Sequence, residues 1–430
     1  MDDFTNWAGN HRCSPRQIHE LSTAGEIADL IADVRRQGET LRMTGAGHSW
    51  SDICCTNGHI VQIDGLDEIV ELDRQAQTVT VQAGLRLGDL VTWLLDRGYA
   101  LANLGSIGEQ SVAGVISTGT HGTGLATGNL STMVRSLTLV DGRGIERTIT
   151  RESAPELFDA ARVGLGALGV ITRVTLDCVP SFRLRERRWQ LTFDQMIDQM
   201  DELVDLHEHI KFWWLPHTDR VQVFTADRTD HSPTPPGLTE RLDESGLLTP
   251  IFERVLELGA ALPQLIPPLN RLVAAVYFNP EDRVAESHEV FNLPMPPKHR
   301  EAEYGFPLES AQQALERLRY RIQSEGHRVN FITEVRFVAA DDLWLSPSYR
   351  RDSCQIGAYV GSTPGWRNYF EAFDEIAADF AARPHWGKTF FAGGDRLREV
   401  FPRFDDFNAL RRRLDPDGVF TNDFVERIFR

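Results

Sequence analysis

Residues 103–124 read NLGSIGEQSVAGVISTGTHGTG, a stretch with six glycines and few large side chains. So little apolar bulk cannot build a core of its own. The stretch must be either a loop or a length of backbone that lies flat against something else. Two shorter elements share this character: TGAGHS at 44–49, after an expected short strand, and RVGLGALGVIT at 162–172, leading into another. Glycine lets backbone N–H groups come close to a pyrophosphate, so three such elements raise a dinucleotide site against the plainer reading of ordinary tight turns. The G-x-G-x-x-G pattern fails at 45–50, because the third glycine is absent and no helical pattern follows. A Gly-Lys-Ser/Thr phosphate loop is absent as well.

The surrounding pattern is α+β. STAGEIADLIADVRRQG (22–38) predicts a helix, with Thr23 as N-cap, Glu26 three residues on, apolar Ile27, Leu30, Ile31 and Val34 at helical spacing, and Gly38 as the stop. RLGDLVTWLLDRGYAL predicts a second helix ending near Gly98, and HIVQID and TVTVQAG predict strands. After Pro180 the texture changes to longer helices such as LESAQQALERLRYRIQSEG and strands such as HIKFWWL and VQVFTA. Pro-rich HSPTPPG (231–237) and NLPMPPKHR (292–300) read as surface connections. The division expected is therefore 1–178, 179–375 and a closing segment, 376–430.

Bulk properties exclude several classes of function. The 430 residues suffice for two or three domains. With 62 acidic against 45 basic residues the net charge is −17, which disfavours a nucleic-acid binder or a protein held on anionic lipid. Five scattered cysteines suggest neither a zinc site nor a disulfide framework, and no metal cluster is evident. The start, MDDFTNWAGN, lacks the apolar core of a secretory signal, and no apolar run is long enough to span a bilayer, so a cytoplasmic location is expected.

Two spacings carry possible chemistry. TEVRF places Glu334 and Arg336 two apart on an expected strand, hence on one face. Read alone, they are a structural ion pair. RPHWGK places Lys388 after a proline-stiffened turn, where a solvated lysine is the ordinary reading. His48, after a glycine turn, is by itself an unremarkable structural histidine.

Taken together, TNWAGN, TGAGHSWSD, NLGSIGEQSVAGVISTGTHGTG, GLGALGVIT, EVRFVAADDLWLSPSYRRDS, RPHWGK and LDPDGVFTNDF resemble, in order and over nearly the whole chain, the sugar-oxidising branch of the vanillyl-alcohol oxidase superfamily. That branch holds aldonolactone oxidases and dehydrogenases and alditol oxidases. The resemblance implies an α+β fold: a two-subdomain, PCMH-type FAD-binding domain (1–178), an α+β cap with an antiparallel sheet (179–375), and a tail (376–430) returning to the FAD domain and active site. It implies that Gly45, Ala46, Gly47 and Ser49 meet the phosphates of FAD. Ser111, Gly114, Gly119, Thr120, Gly122 and Ile171 would line the cofactor, with His121 packed near it. His48 would bond covalently to the flavin 8α-methyl, a role that suits a neutral, nucleophilic imidazole.

On the substrate side the resemblance implies that Glu334 holds the substrate hydroxyl and that Arg336 offsets charge on reduced flavin. Lys388, its pKa lowered by burial, would help remove the hydroxyl proton, Ser106 would contact that hydroxyl, and His385 would support the turn. Hydride would pass to flavin N5, with no metal needed. Gly105 occupies a place where alanine hinders oxygen in lactone enzymes, which favours an oxidase producing hydrogen peroxide over a dehydrogenase with another acceptor. Alditol oxidases carry histidine and threonine where this chain has Gly357 and Tyr359, which favours an aldono-1,4-lactone substrate and leaves a polyol as the alternative. A flavin-binding protein with vestigial activity is the alternative of a different class, and the intact Glu334, Arg336 and Lys388 set speaks against it.

Overall fold

A parallel three-stranded sheet, ordered Gln17–Glu20, His59–Gln62, Leu41–Thr44, opens the architecture seen in the computed structural model. The structure describes residues 3–235, 248–293, 296–361 and 363–430; the last two residues of HSPTPPG (236–237) and residues 294–295 of NLPMPPKHR lie outside the described residues. The helix Ala24–Gln37 has Ile27, Ile31 and Val34 fully buried. Its ends follow the sequence expectation. Thr23 and Glu26 form a reciprocal capping box, and Gly38 closes the last turn in the left-handed region at φ 67°. A five-stranded antiparallel sheet follows, ordered Glu146–Thr150, Val134–Val140, Val170–Asp177, Thr78–Gln82, Ile69–Asp73. Both sheets feed one apolar core that includes Ile31, Val61, Val81, Leu90, Leu137 and Val174.

The glycine-rich stretch is not loop throughout. Val112–Thr118 form a short helix, because the Ser111 side chain caps the Gly114 N–H and Gly119 ends the turn at φ 70°. Residues 121–127 then run along the second half of the molecule. Gly124 N–H donates to Phe337 O (2.7 Å), and Phe337 N–H donates to Thr123 Oγ1 (3.1 Å).

That second half is an eight-stranded antiparallel sheet, ordered Glu281–Glu286, Arg183–Thr192, Arg220–Thr229, His209–Trp214, Thr333–Val338, Ser353–Val360, Arg300–Pro307, Arg383–Pro384. Period-two alternation decides its two faces. Phe212, Trp214, Val335, Phe337, Ile356, Ala302, Tyr304 and Phe306 join a second apolar core with the helices Phe193–Leu206, Ala311–Ser324 and Trp366–Asp379. Their strand neighbours Lys211, Trp213, Glu334, Arg336, Tyr359, Glu301 and Glu303 face the other way. The α+β class and the antiparallel sheet expected from the sequence are both borne out.

The last residues stitch the halves together. Arg383–Pro384 add an edge strand to the eight-stranded sheet, while Leu397, Phe401, Phe407, Phe424 and Ile428 pack into the first core. So do Leu343, Trp344, Leu345 and Tyr349 from the loop after Thr333–Val338. Arg42 is the clasp. Its buried guanidinium donates to the carbonyls of Ile53 (2.9 Å), Leu165 (2.8 Å), Gly166 (3.1 Å) and Phe420 (2.9 Å). Among the described residues no helix is long and apolar enough to cross a membrane.

Replacing Arg42 leaves these buried carbonyls without a donor. Arg42→Met is expected to lower stability by about 3 kcal/mol, read as a drop in the urea midpoint of unfolding, with limited proteolysis cutting first near the tail.

Candidate active site

The strand Leu41–Thr44 runs directly into the turn 45–49, and Gly47 takes φ 67°, a conformation a side chain would strain. This turn walls a cavity of about 100 Å³ that Gly45, Ala46, Gly47, His48, Ser49, Ser111, Gly114 and Ile171 line together. A second cavity, about 310 Å³, lies against the charged sheet face and is lined by Gly105, Ser106, Thr120, His121, Glu334, Arg336, His385 and Lys388 among others. His48 and Gln110 border both cavities, so the two meet there. Gly119 and Gly122 line neither; Gly119 ends the short helix, and Gly122 backs onto Asn103 and Leu104.

His48 stacks on Trp7 at 5.5 Å between ring centroids. Its Nδ1 and Nε2 are both buried, and neither has a partner among the described residues. Burial, aided by Arg86 and Lys388 and opposed by Glu109, draws its pKa below the ordinary histidine value. A neutral ring with two unpaired nitrogens, at the junction of two cavities beside a glycine turn, suits a dinucleotide laid through both.

The charged face is a connected network. Glu303 Oε1 accepts from Arg336 (2.8 Å) and lies 3.0 Å from His121 Nε2, while Lys388 Nζ stands 3.8 Å from its other oxygen. Burial pushes the Glu303 carboxyl up, but Arg336, His121 and Lys388 outweigh it and hold it well below the usual carboxylate range. Glu334 is similar: burial opposes ionisation, and Arg336, Lys211 and the Trp213 hydrogen bond overcome it. Its oxygens accept from Trp213 Nε1 (2.8 Å) and Tyr359 OH (2.9 Å), with Arg336 Nε 3.3 Å away. Arg336 is thus gripped by two carboxylates. Despite its burial, they raise its pKa further.

Lys388 is set by backbone. His385 N–H donates to Glu303 O (3.0 Å) and Thr389 N–H to Glu301 O (2.9 Å), so the tail runs beside Arg300–Pro307. This brings Lys388 Nζ to 2.5 Å from Glu301 Oε2 and 4.2 Å from the Trp50 ring. Lys388 thus stands in an ion pair with a buried carboxylate. His385 Nδ1 accepts from Gly387 N–H (3.0 Å) and so supports the turn. Burial pulls its pKa down to about 3, which keeps it neutral. His121, Glu303 and His385 each bring a ligand atom within 4.8 Å of the others, but Arg336 already neutralises the carboxylate.

The sequence pattern does not single out Glu301, Glu303 or Trp213, and it marks Tyr359 only as a departure from the alditol oxidases. The signal was present: REAEYGFP alternates as TEVRF does, and its two carboxylates alternate with apolar Ala302 and Tyr304. Tyr359 fits because position 357 has no side chain. A Cβ there would lie 2.8 Å from the tyrosine ring.

The D-arabinono-1,4-lactone oxidase family profile matches residues 174–428, and an FAD binding domain profile matches residues 15–150. The chain is 36% identical over 432 residues to the L-gulono-1,4-lactone dehydrogenase of Mycobacterium tuberculosis H37Rv, covering 99% of this chain and 98% of that one. It is 33% identical to the L-gulonolactone oxidase of Mus musculus, with the same coverages. It is 32% identical to the D-arabinono-1,4-lactone oxidase of Eremothecium gossypii, covering 97% and 93%. Among solved structures, a solvent-stable cholesterol oxidase superposes with a TM-score of 0.84 at 19% identity, covering 100% of this chain and 97% of that one, and shows the shared fold.

Because His385 is neutral in the fold and titrates near 6.5 when unfolded, its stability contribution is complete above pH 6.5 and is lost as pH falls toward 3. Between pH 7 and pH 5 the wild type should therefore lose ~2 kcal/mol more than His385→Gln, measured by urea unfolding at each pH.

Proposed function

The chain belongs to the D-arabinono-1,4-lactone oxidase family of FAD-dependent, aldonolactone-oxidising enzymes, and from that premise we propose how its residues carry out the reaction and with which electron acceptor. One observation carries the reading: Glu334 and Arg336 share a single cavity with Lys388 and with His48, whose ring nitrogens have no protein partner among the described residues. Residues 1–178 bind FAD, 179–375 cap it, and 376–430 return to complete both. FAD supplies the two-electron acceptor for the hydride. Gly45, Ala46, Gly47, Ser49, Ser111 and Gly114 hold the dinucleotide. Ile171, Thr120, His121, Gly119 and Gly122 shape its surroundings, and His48 bonds to it covalently.

The substrate is an aldono-1,4-lactone bearing a secondary alcohol. Glu334, fixed by Trp213 and Tyr359, holds a substrate hydroxyl beside the reacting one, which Ser106 contacts. Arg336 keeps its positive charge because Glu303 and Glu334 both face it, so it stabilises negative charge developing on the reacting partners. Lys388 eases loss of the hydroxyl proton. Positioning these groups within a cavity shared by cap and tail brings the carbinol C–H to reacting distance. The alditol alternative is disfavoured by Tyr359, whose ring occupies the space beside Gly357 where a polyol chain needs polar partners.

Molecular oxygen is the acceptor, and hydrogen peroxide the product. Gly105 supports this: it lines the larger cavity, and a Cβ there would come to 3.1 Å from Thr120 Cγ2 and crowd that wall.

Three measurements test this reading. Acid-precipitated wild type should stay yellow, whereas His48→Ala should release all its FAD into the supernatant; flavin released from the wild type defeats the covalent assignment. Under anaerobic conditions L-gulono- and D-arabinono-1,4-lactone should bleach the flavin faster than any alditol, and a faster alditol would move the substrate class. On readmitting air, Gly105→Ala should slow reoxidation at least tenfold while leaving the rate of bleaching within about twofold.

A further inference from the structure

Glu301 is buried, with 1% of its surface exposed, yet only one of its oxygens is used. Oε2 takes the Lys388 ammonium at 2.5 Å, with His299 Nε2 at 3.8 Å. Oε1 has no hydrogen-bond partner among the described residues. A buried carboxylate oxygen left unpaired is costly unless something else fills the place. Glu301 lines the larger cavity.

Among the other candidate acceptors, Glu334 and one oxygen of Glu303 are engaged, while the buried Glu303 Oε2 and His299 Nε2 of the same cavity also lack a hydrogen-bond partner among the described residues. Glu303 already has Arg336 as its counter-ion, and Glu301 is the carboxylate that Lys388 pairs with directly. Both oxygens of Glu334 receive hydrogen bonds, from Trp213 and Tyr359. Glu303 Oε1 is held by Arg336 and faces His121, and its Oε2 faces Lys388. Lys388 lies between Glu301 and Glu303 and is paired with the first, which sets it to donate to a hydroxyl. His385 is turned to the Gly387 N–H through Nδ1.

We propose that Glu301 is the proton acceptor of the oxidation, with Lys388 polarising the same hydroxyl from the side. This deepens the functional reading above and rests on it. As the carbinol C–H bond breaks, its electron pair leaves with the hydrogen as hydride to FAD, which is reduced by two electrons. The O–H bond breaks at the same time and its proton forms a new O–H bond on Glu301 Oε1. The alcohol carbon, now oxidised, becomes a carbonyl. Glu301 returns its proton to solvent after product leaves. Lys388 lowers the cost of the developing alkoxide and, by holding Oε2, keeps Oε1 turned to the substrate.

The test uses the FAD-loaded full chain and L-gulono-1,4-lactone, with flavin reduction followed anaerobically in single turnovers. Glu301→Ala should reduce its flavin 10²–10⁴-fold more slowly than wild type. Added formate, which fits the space vacated, should restore the rate in proportion to its concentration. The restored reaction should show a primary isotope effect with lactone deuterated at the reacting carbon. Glu301→Gln, which keeps the shape and an acceptor for Lys388, should be as slow and gain nothing from formate. Product-lactone binding, read from the change in tryptophan fluorescence, should stay within about threefold of wild type in Glu301→Gln. The proposal is overturned if either variant reduces flavin within fivefold of wild type, if the loss lies only in substrate affinity, or if formate fails to rescue Glu301→Ala. A wild type that no lactone or alditol reduces would instead bring down the functional reading itself.

Discussion

Everything in the larger cavity depends on one electrostatic requirement: the carboxylates Glu301, Glu303 and Glu334, at most 4% exposed, must each face a cation. Arg336 answers two of them, Lys388 answers Glu301, and Lys211 adds to the field around Glu334. Removing any one member leaves an uncompensated buried charge, a more severe disturbance than losing a surface ion pair. The network therefore tolerates only an arrangement in which three strands and the tail hold fixed registers. The backbone bonds from His385 and Thr389 to the strand Arg300–Pro307 provide one such register. Those from Gly124 and Phe337 across the seam provide another.

The same requirement explains why the eight-stranded sheet is asymmetric. One face buries phenylalanine, tyrosine and aliphatic side chains under three helices and supplies the hydrophobic stabilisation. That stability allows the opposite face to hold ionised groups away from water, where their fields act strongly on a bound substrate. Arg42 and the C-terminal helices do the corresponding work for the first core, tying the glycine turn to the segment that carries Lys388. The turn at His48 and the charges at Glu334 thereby belong to one rigid frame.

Much of the molecule was legible because its signals are local. Capping by Thr23 and Glu26, the stop at Gly38 and the alternation in TEVRF follow from short-range sterics and hydrogen bonding, and each recurs in the structure. The short helix within the glycine-rich stretch was less so, since its Ser111 cap is outweighed by glycines on either side. Glu301 and Glu303 escaped notice for a different reason. A lone pair of glutamates two apart on a strand is ordinary on any solvated sheet face, and nothing in REAEYGFP says which face is covered.

What the amino-acid sequence determined by itself was the mixed helix and strand pattern, the glycine turns suited to a dinucleotide and, through its ordered motifs, the family and the cofactor. The tertiary structure decided which charges meet. Lys388 and Glu301 are 87 residues apart, and Arg336 and His121 are 215 apart, so no local pattern links them. Whether Lys388 stands alone or in an ion pair depends on the carboxylate opposite it. That partner arrives only when the tail pairs with the edge of the sheet.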